Sequence, residues 1–136
     1  MDWKEDLVLQ FRELTIDKGL ISRGMQNFVN EFNKNLDKYT IDDVEATTDS
    51  SEFINIKSYR NIKIMYGENT VTFVLYDING SNYEVYIKLS IKVGKYFIRY
   101  INMEERNPKL LSFIDEKTID GIFEDLFDLN RQIIGM

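Results

Sequence analysis

One stretch in the middle of the chain decides the fold: Tyr83-Glu84-Val85-Tyr86-Ile87-Lys88-Leu89-Ser90-Ile91-Lys92-Val93. Val85, Ile87, Leu89 and Ile91 are apolar, and the residues between them are polar or amphipathic. Because successive side chains of a strand point to opposite faces, this alternation is typical of a strand that is buried on one face only. The stretch therefore predicts an antiparallel sheet with one covered and one solvated face.

Neighbouring segments extend this strand into a β-meander over residues 52–103. Ile54-Asn55-Ile56-Lys57 and Ile62-Lys63-Ile64 alternate in the same way, and the run from Val71 to Ile78 is apolar on both faces, which predicts a central position in the sheet. We expect four or five strands.

The turns between these strands are marked by residues that tolerate unusual backbone angles. Asn79-Gly80 predicts a tight hairpin, because both residues accept the positive φ that such a turn needs. Gly67 and Gly94 indicate two further reversals of the chain.

The first 39 residues have a helical pattern. Apolar residues recur at spacings of three, four and seven: Leu7, Phe11, Leu14, Ile21, Met25, Phe28, Phe32 and Leu36. Asp2 is a candidate N-cap, and Glu5 would complete a capping box. Gly19 and Gly24 lower the helix propensity, and a break near Asp17-Lys18-Gly19 would give two helices. The apolar face keeps its phase across the glycines, which favours one continuous helix.

A second helix is predicted after Pro108. Asp115 or Thr118 can cap it, and its apolar stripe consists of Ile119, Ile122, Phe123, Leu126, Leu129 and Ile133. The chain thus reads as an α+β fold in one domain over residues 1–136. It has an N-terminal helix or two, the β-meander and a C-terminal helix, with the helices on one face of the sheet.

Some apolar residues of the helices allow two explanations. Phe28, Phe32, Phe123 and Phe127 could line a groove or a cofactor site, but their spacing favours core packing. Trp3, the only tryptophan, lies one turn before Leu7, where it either staples the helix end or stays exposed as an anchor.

The composition excludes several classes of function. The 136 residues contain neither cysteine nor histidine, which excludes disulfides, thiol nucleophiles, Cys/His zinc sites and Ser-His-Asp triads. Loops typical of phosphate or calcium binding do not occur either. We therefore predict no catalytic residue, metal or cofactor, and keep a carboxylate-based enzyme as the least favoured alternative.

The sequence also favours a cytoplasmic protein without a membrane partner. Its apolar runs, of which Phe73-Val74-Leu75-Tyr76 is typical, are far too short to span a bilayer. The acidic N-terminus does not resemble a secretory signal.

Charge is segregated along the chain, whose net charge is −6. Residues 1–52 hold 12 acids and 6 bases, residues 53–103 hold 3 acids and 7 bases, and residues 104–136 hold 8 acids and 4 bases. The helical zones are therefore acidic and the sheet zone is basic.

The acidic helices suggest the first functional hypothesis. Asp120, Glu124, Asp125 and Asp128 lie on the polar side of the C-terminal helix and form the candidate partner-binding site, although a plain solvated face would look the same. The protein would be a stoichiometric inhibitor of the immunity or phage counter-defence type. It would bind a basic protein surface and block it electrostatically and sterically.

The sheet suggests the alternative. If the helices cover the face with Val85, the other face carries Lys57, Lys63, Tyr76, Tyr86, Lys88 and Lys92. Such a face could bind single-stranded nucleic acid or an acidic partner. The net negative charge of the chain disfavours nucleic acid. A sheet face that is merely exposed to solvent would have the same composition. A homodimer or chaperone-like module that pairs through an exposed β face or edge is a further alternative.

Overall fold

A computed structural model describes residues 2–57, 59–76, 83–101, 103 and 106–128. Within them the chain forms three helices and seven strands. In chain order these are α1 Trp3–Leu9, α2 Lys18–Lys38, β1 Ala46–Thr48, β2 Phe53–Ile56, β3 Asn61–Gly67, β4 Thr70–Tyr76, β5 Tyr83–Lys92, β6 Lys95–Ile101, β7 Lys109–Leu111 and α3 Glu116–Leu126. All strands belong to one antiparallel sheet, in the order in which they occur along the chain.

The predicted α+β class is confirmed, but the predicted number of strands is wrong. The two additional strands, β1 and β7, are three residues long and lie at the two edges of the sheet. Segments this short cannot show alternation, which is why the sequence pattern missed them. The reversals at Gly67 and Gly94 are confirmed, and the hairpin predicted at Asn79-Gly80 lies outside the described residues.

One face of the sheet and two of the helices enclose the core. Val85, Ile87 and Leu89 of β5 are buried, as predicted from their alternation. They join buried residues of the other strands and of the two longer helices, among which are Ile54, Ile62, Phe73, Leu75, Ile21, Met25, Ile119 and Phe123. The remaining face, which we call the open face, points away from α2 and α3.

The N-terminal region forms two helices, which is the alternative with a break near Asp17-Lys18-Gly19 and not the continuous helix that the apolar phase favoured. Asp17 caps α2 by accepting a hydrogen bond from the Gly19 N–H at 2.8 Å. The segment before it is held against the sheet, because the Arg12 guanidinium donates to the carbonyl oxygens of Gly94 at 2.6 Å and Ser112 at 2.9 Å. The apolar residues keep one helical phase across both helices, and this constant phase suggested a single helix. In the structure, α2 buries its apolar stripe, whereas α1 buries no residue.

The C-terminal helix begins as predicted. Asp115 is its N-cap and forms a capping box with Thr118. The Thr118 N–H and hydroxyl both donate to the Asp115 carboxylate, which lowers the pKa of that carboxyl. Leu129 and Ile133 of the predicted stripe lie outside the described residues. In the part of the chain that the structure describes, no helix is both long and apolar enough to cross a bilayer.

Candidate functional site

Two of the four acids predicted to bind a partner are engaged within the fold. The Arg106 guanidinium donates to Asp125 at 2.8 Å and to Asp128 at 2.9 Å. Partial burial disfavours its charge, but the two carboxylates outweigh this effect and raise the pKa of Arg106. Asp125 and Asp128 therefore tie the end of α3 to the segment after β6, and Arg106 compensates one of their two negative charges.

The other two acids remain exposed beside a groove. Asp120 and Glu124 line a groove of about 260 Å³ between α2 and α3, and Glu31 of α2 lines it from the other side. Glu116 at the same groove is paired with Arg23 at 3.1 Å, and one cation, Lys117, also lines the groove. Among the described residues, no group of three or more carboxylates is arranged to hold a metal ion. What remains of the predicted acidic surface is smaller than the sequence suggested.

The open face brings most of the alternative site residues together. Lys63 of β3 is directly opposite Val74 of β4, and Val74 is opposite Tyr86 of β5. Since directly opposite residues of antiparallel strands share a face, these side chains form one row across the sheet. Lys88 and Tyr76 lie on the same face.

The next row on this face places two cations side by side. Lys88 of β5 has Thr72 on one side and Arg99 of β6 on the other. Directly opposite residues have their Cβ atoms about 5 Å apart, and like charges at that distance destabilise a sheet. No carboxylate among the described residues forms an ion pair with Lys63, Lys88 or Arg99.

A small depression lies beside these cations. It has a volume of about 220 Å³ and is lined by Met65, Thr72, Val74, Tyr76 and Tyr86. Val74 forms its floor, with only 3% of its surface exposed although it faces away from the helices. A cavity of this size holds one apolar side chain.

The far end of the open face is joined to α1. Lys92 is opposite Lys95 at the β5–β6 turn. The repulsion between them is relieved because Asp6 of α1 pairs with Lys95 at 3.2 Å and the Lys92 ammonium lies over the Phe97 ring at 5.0 Å. Lys57 is exposed just beyond β2, at the other end of the sheet.

A wider depression of about 740 Å³ lies beside α2 and α3, and its lining side chains contact one another within the fold. Phe28 stacks on both Phe32 and Phe127, and Phe127 stacks on Tyr59. Its cation, Arg106, is held by the two carboxylates described above. These rings pack against the core, in agreement with the core-packing interpretation of the sequence.

The sequence interpretation missed three features of these surfaces. Arg99 could have been found, because Ile98 and Tyr100 on either side of it are apolar and indicate that Arg99 faces outward. Arg106 gave no local signal, since its partners are 19 and 22 residues away. The depression around Val74 depends on cross-strand register, which a single strand pattern does not reveal.

Comparison with protein-family models, curated proteins and solved structures found no match to this chain. The functional proposal therefore rests on the geometry of the two surfaces.

Proposed function

We propose that this chain is a protein-binding module that acts by stoichiometric occupation of its partner, and that the open face is its docking surface. The observation that carries the proposal is the pair of cations Lys88 and Arg99, which lie directly opposite each other without a carboxylate partner among the described residues. A local arrangement that costs stability is typical of a surface kept for binding.

The net charge of −6 does not prevent this face from attracting an acidic partner. The exposed acids Asp120 and Glu124 lie on α3, on the opposite side of the sheet. A helix about 10 Å in diameter and the sheet itself separate them from the open face, whereas charges in physiological salt are screened over about 8 Å. The partner would therefore experience mainly the local cations.

The depression at Val74 supports a partner with an apolar anchor. It lies next to Lys63 and Lys88 in the two neighbouring rows of the face. An acidic polypeptide segment with one apolar side chain could place that side chain in the depression and its carboxylates on the surrounding cations. Interfaces commonly gain most of their affinity from such a central buried anchor with a charged rim.

The test is an NMR titration with a short acidic peptide that contains a single phenylalanine. We expect shifts concentrated on β3 to β6, weakened by salt and lost in Lys88→Glu. Lys34→Glu, on the exposed side of α2, is the matched control, because it changes the net charge by the same amount away from the open face. Shifts concentrated on α2 and α3, or tighter binding of an oligonucleotide than of the peptide, would overturn the proposal.

The acidic groove between α2 and α3 supports a second candidate, the blocking of a basic partner. Glu31 lines the groove together with Asp120 and Glu124. Its negative charge partly replaces the negative charge that Arg106 compensates at Asp125 and Asp128. A basic peptide in the same titration distinguishes the candidates, because it would shift α2 and α3 and would lose affinity in Glu124→Gln but not in Lys88→Glu.

A further inference from the structure

The first helix exposes its apolar side instead of burying it. No residue of α1 is buried, and the exposed fractions are 68% for Trp3, 49% for Leu7 and 66% for Val8. Phe11, just beyond the helix, is 77% exposed. A helix of seven residues has little stability of its own in water. The contacts that fix α1 on the rest of the fold therefore also keep its apolar side exposed to solvent.

Those contacts bring three segments of the chain side by side. The Leu9 carbonyl lies so close to Gly94 that a Cβ atom there would overlap it. Arg12 bridges Gly94 and Ser112 through their carbonyl oxygens. Val93 and Phe113, the neighbours of these two residues, are also largely exposed. We call these six apolar residues the N-terminal patch: Trp3, Leu7, Val8, Phe11, Val93 and Phe113.

The N-terminal patch is large enough for a stable interface. Side chains of these types, exposed to the fractions observed, together present roughly 700–900 Å². The largest apolar patch of a typical monomer is about 300–600 Å², and a standard interface takes about 800 Å² from each partner. The patch therefore exceeds what an ordinary monomer leaves in water and matches one side of an interface.

We propose that a second copy of this chain covers the N-terminal patch in a twofold-symmetric dimer. Trp3, Leu7 and Phe11 are spaced four residues apart, with one aromatic residue on each side of the leucine. Two copies that meet antiparallel at Leu7 therefore place Trp3 of each copy opposite Phe11 of the other. A twofold interface requires this kind of self-complementary surface.

The charges of α1 favour a protein partner over an anionic lipid surface. Its charged residues are Lys4, Glu5 and Asp6, a net charge of −1, and the one cation, Lys4, lies over the Trp3 ring at 5.8 Å. Helices that lie on anionic bilayers instead carry several Lys and Arg residues on their polar side. Burial in a dimer is also independent of the open-face proposal, because the N-terminal patch does not include Lys88, Arg99 or the depression at Val74.

Trp3 is the only tryptophan, so its fluorescence reports directly on the N-terminal patch. On raising the concentration of the intact chain from nanomolar to about 100 μM, we expect the emission to move to shorter wavelength as sedimentation equilibrium shows a dimer. A monomer mass with unchanged emission over this range would overturn the proposal, whether or not another protein or a lipid vesicle binds the patch.

Variants locate the interface. Leu7→Glu should raise the dimer dissociation constant at least about tenfold, and Leu7 is 49% exposed in the monomer. Ile41→Glu is the matched control, because Ile41 is 46% exposed and lies outside the patch. A dimer that survives Leu7→Glu unchanged would overturn the proposal. Stronger association at higher salt is expected, opposite to the salt dependence of the open-face interaction.

Discussion

At the scale of single residues, Val93 is one of two β-branched residues with a positive φ among the described residues, the other being Thr40. It occupies the first position of the two-residue β5–β6 turn with φ at 53°, and Gly94 follows with φ at 69°. Glycine adopts positive φ without penalty. Position 94 requires glycine for a second reason, because a Cβ atom there would overlap the Leu9 carbonyl. A β-branched valine in this conformation is unusual and costs stability.

The strain at Val93 predicts a stabilising substitution. Val93→Asn should raise the free energy of unfolding by about 1 kcal/mol, because asparagine tolerates positive φ and Asn-Gly is a preferred pair for this turn. Urea unfolding at low protein concentration measures the change. Val8→Asn removes a valine of almost equal exposure without relieving strain, so it should give no gain. Equal effects of the two variants would contradict the explanation.

Asp115 predicts a pH dependence at the start of α3. Hydrogen bonds from Thr118 lower its pKa, so the ionised carboxylate stabilises the fold above its unfolded-state pKa, and this contribution is lost as the pH falls through the lowered folded-state value. Asp115→Ala should therefore destabilise the protein at neutral pH, and the difference from the original chain should shrink in strong acid. Asp120→Ala, an exposed acid one turn later, is the control. A pH-independent difference for Asp115→Ala would contradict the capping role.

At the scale of elements, Gly24 sets the contact between α2 and α3, and Gly121 takes no part in it. A Cβ atom at Gly24 would lie 2.5 Å from Cγ2 of Ile119, whereas one at Gly121 would meet nothing within 4 Å. The sequence showed only that glycine lowers the helix propensity at position 24. The structure explains why residue 24 is glycine, because the two helices pack closely at this position.

These two sites predict opposite effects of the same substitution. Gly24→Ala should lower the free energy of unfolding by about 1–3 kcal/mol, because the overlap with Ile119 outweighs the gain in helix propensity. Gly121→Ala should raise it by up to about 1 kcal/mol, since only the propensity changes. Denaturant unfolding of both variants measures the effects. Stabilisation by both would show that α2 and α3 are not so closely packed.

The sequence predicted the elements with strong periodicity and missed those defined by distant contacts. The alternation in β5 and the stripe of α3 correctly indicated buried faces, because burial imposes periodicity directly on the side chains. The segment before α2 is held by contacts such as Arg12 with Gly94, 82 residues apart, and the edge strands β1 and β7 are too short to show alternation. Tertiary hydrogen bonds of this kind leave no local pattern.

At the scale of the whole molecule, the fold separates the two charge zones that the sequence contains. The acidic residues of α3 and the cations around Lys88 lie on opposite sides of the sheet. Sequence parity was sufficient to place Lys63, Tyr86 and Lys88 on one face. It was not sufficient to show that Arg106 pairs with both Asp125 and Asp128 and compensates one of their two charges, which changes the relative weight of the two candidate surfaces.

The central claim is that Lys88 opposite Arg99 is kept for binding and not for stability. The most direct test measures unfolding and peptide binding on the same samples of the original chain, Lys88→Glu and Lys34→Glu. Because a carboxylate at position 88 would pair with Arg99, we expect Lys88→Glu to raise the free energy of unfolding by about 0.5–1 kcal/mol and to abolish binding of the acidic peptide, while Lys34→Glu retains binding. Undiminished binding by Lys88→Glu would contradict the account.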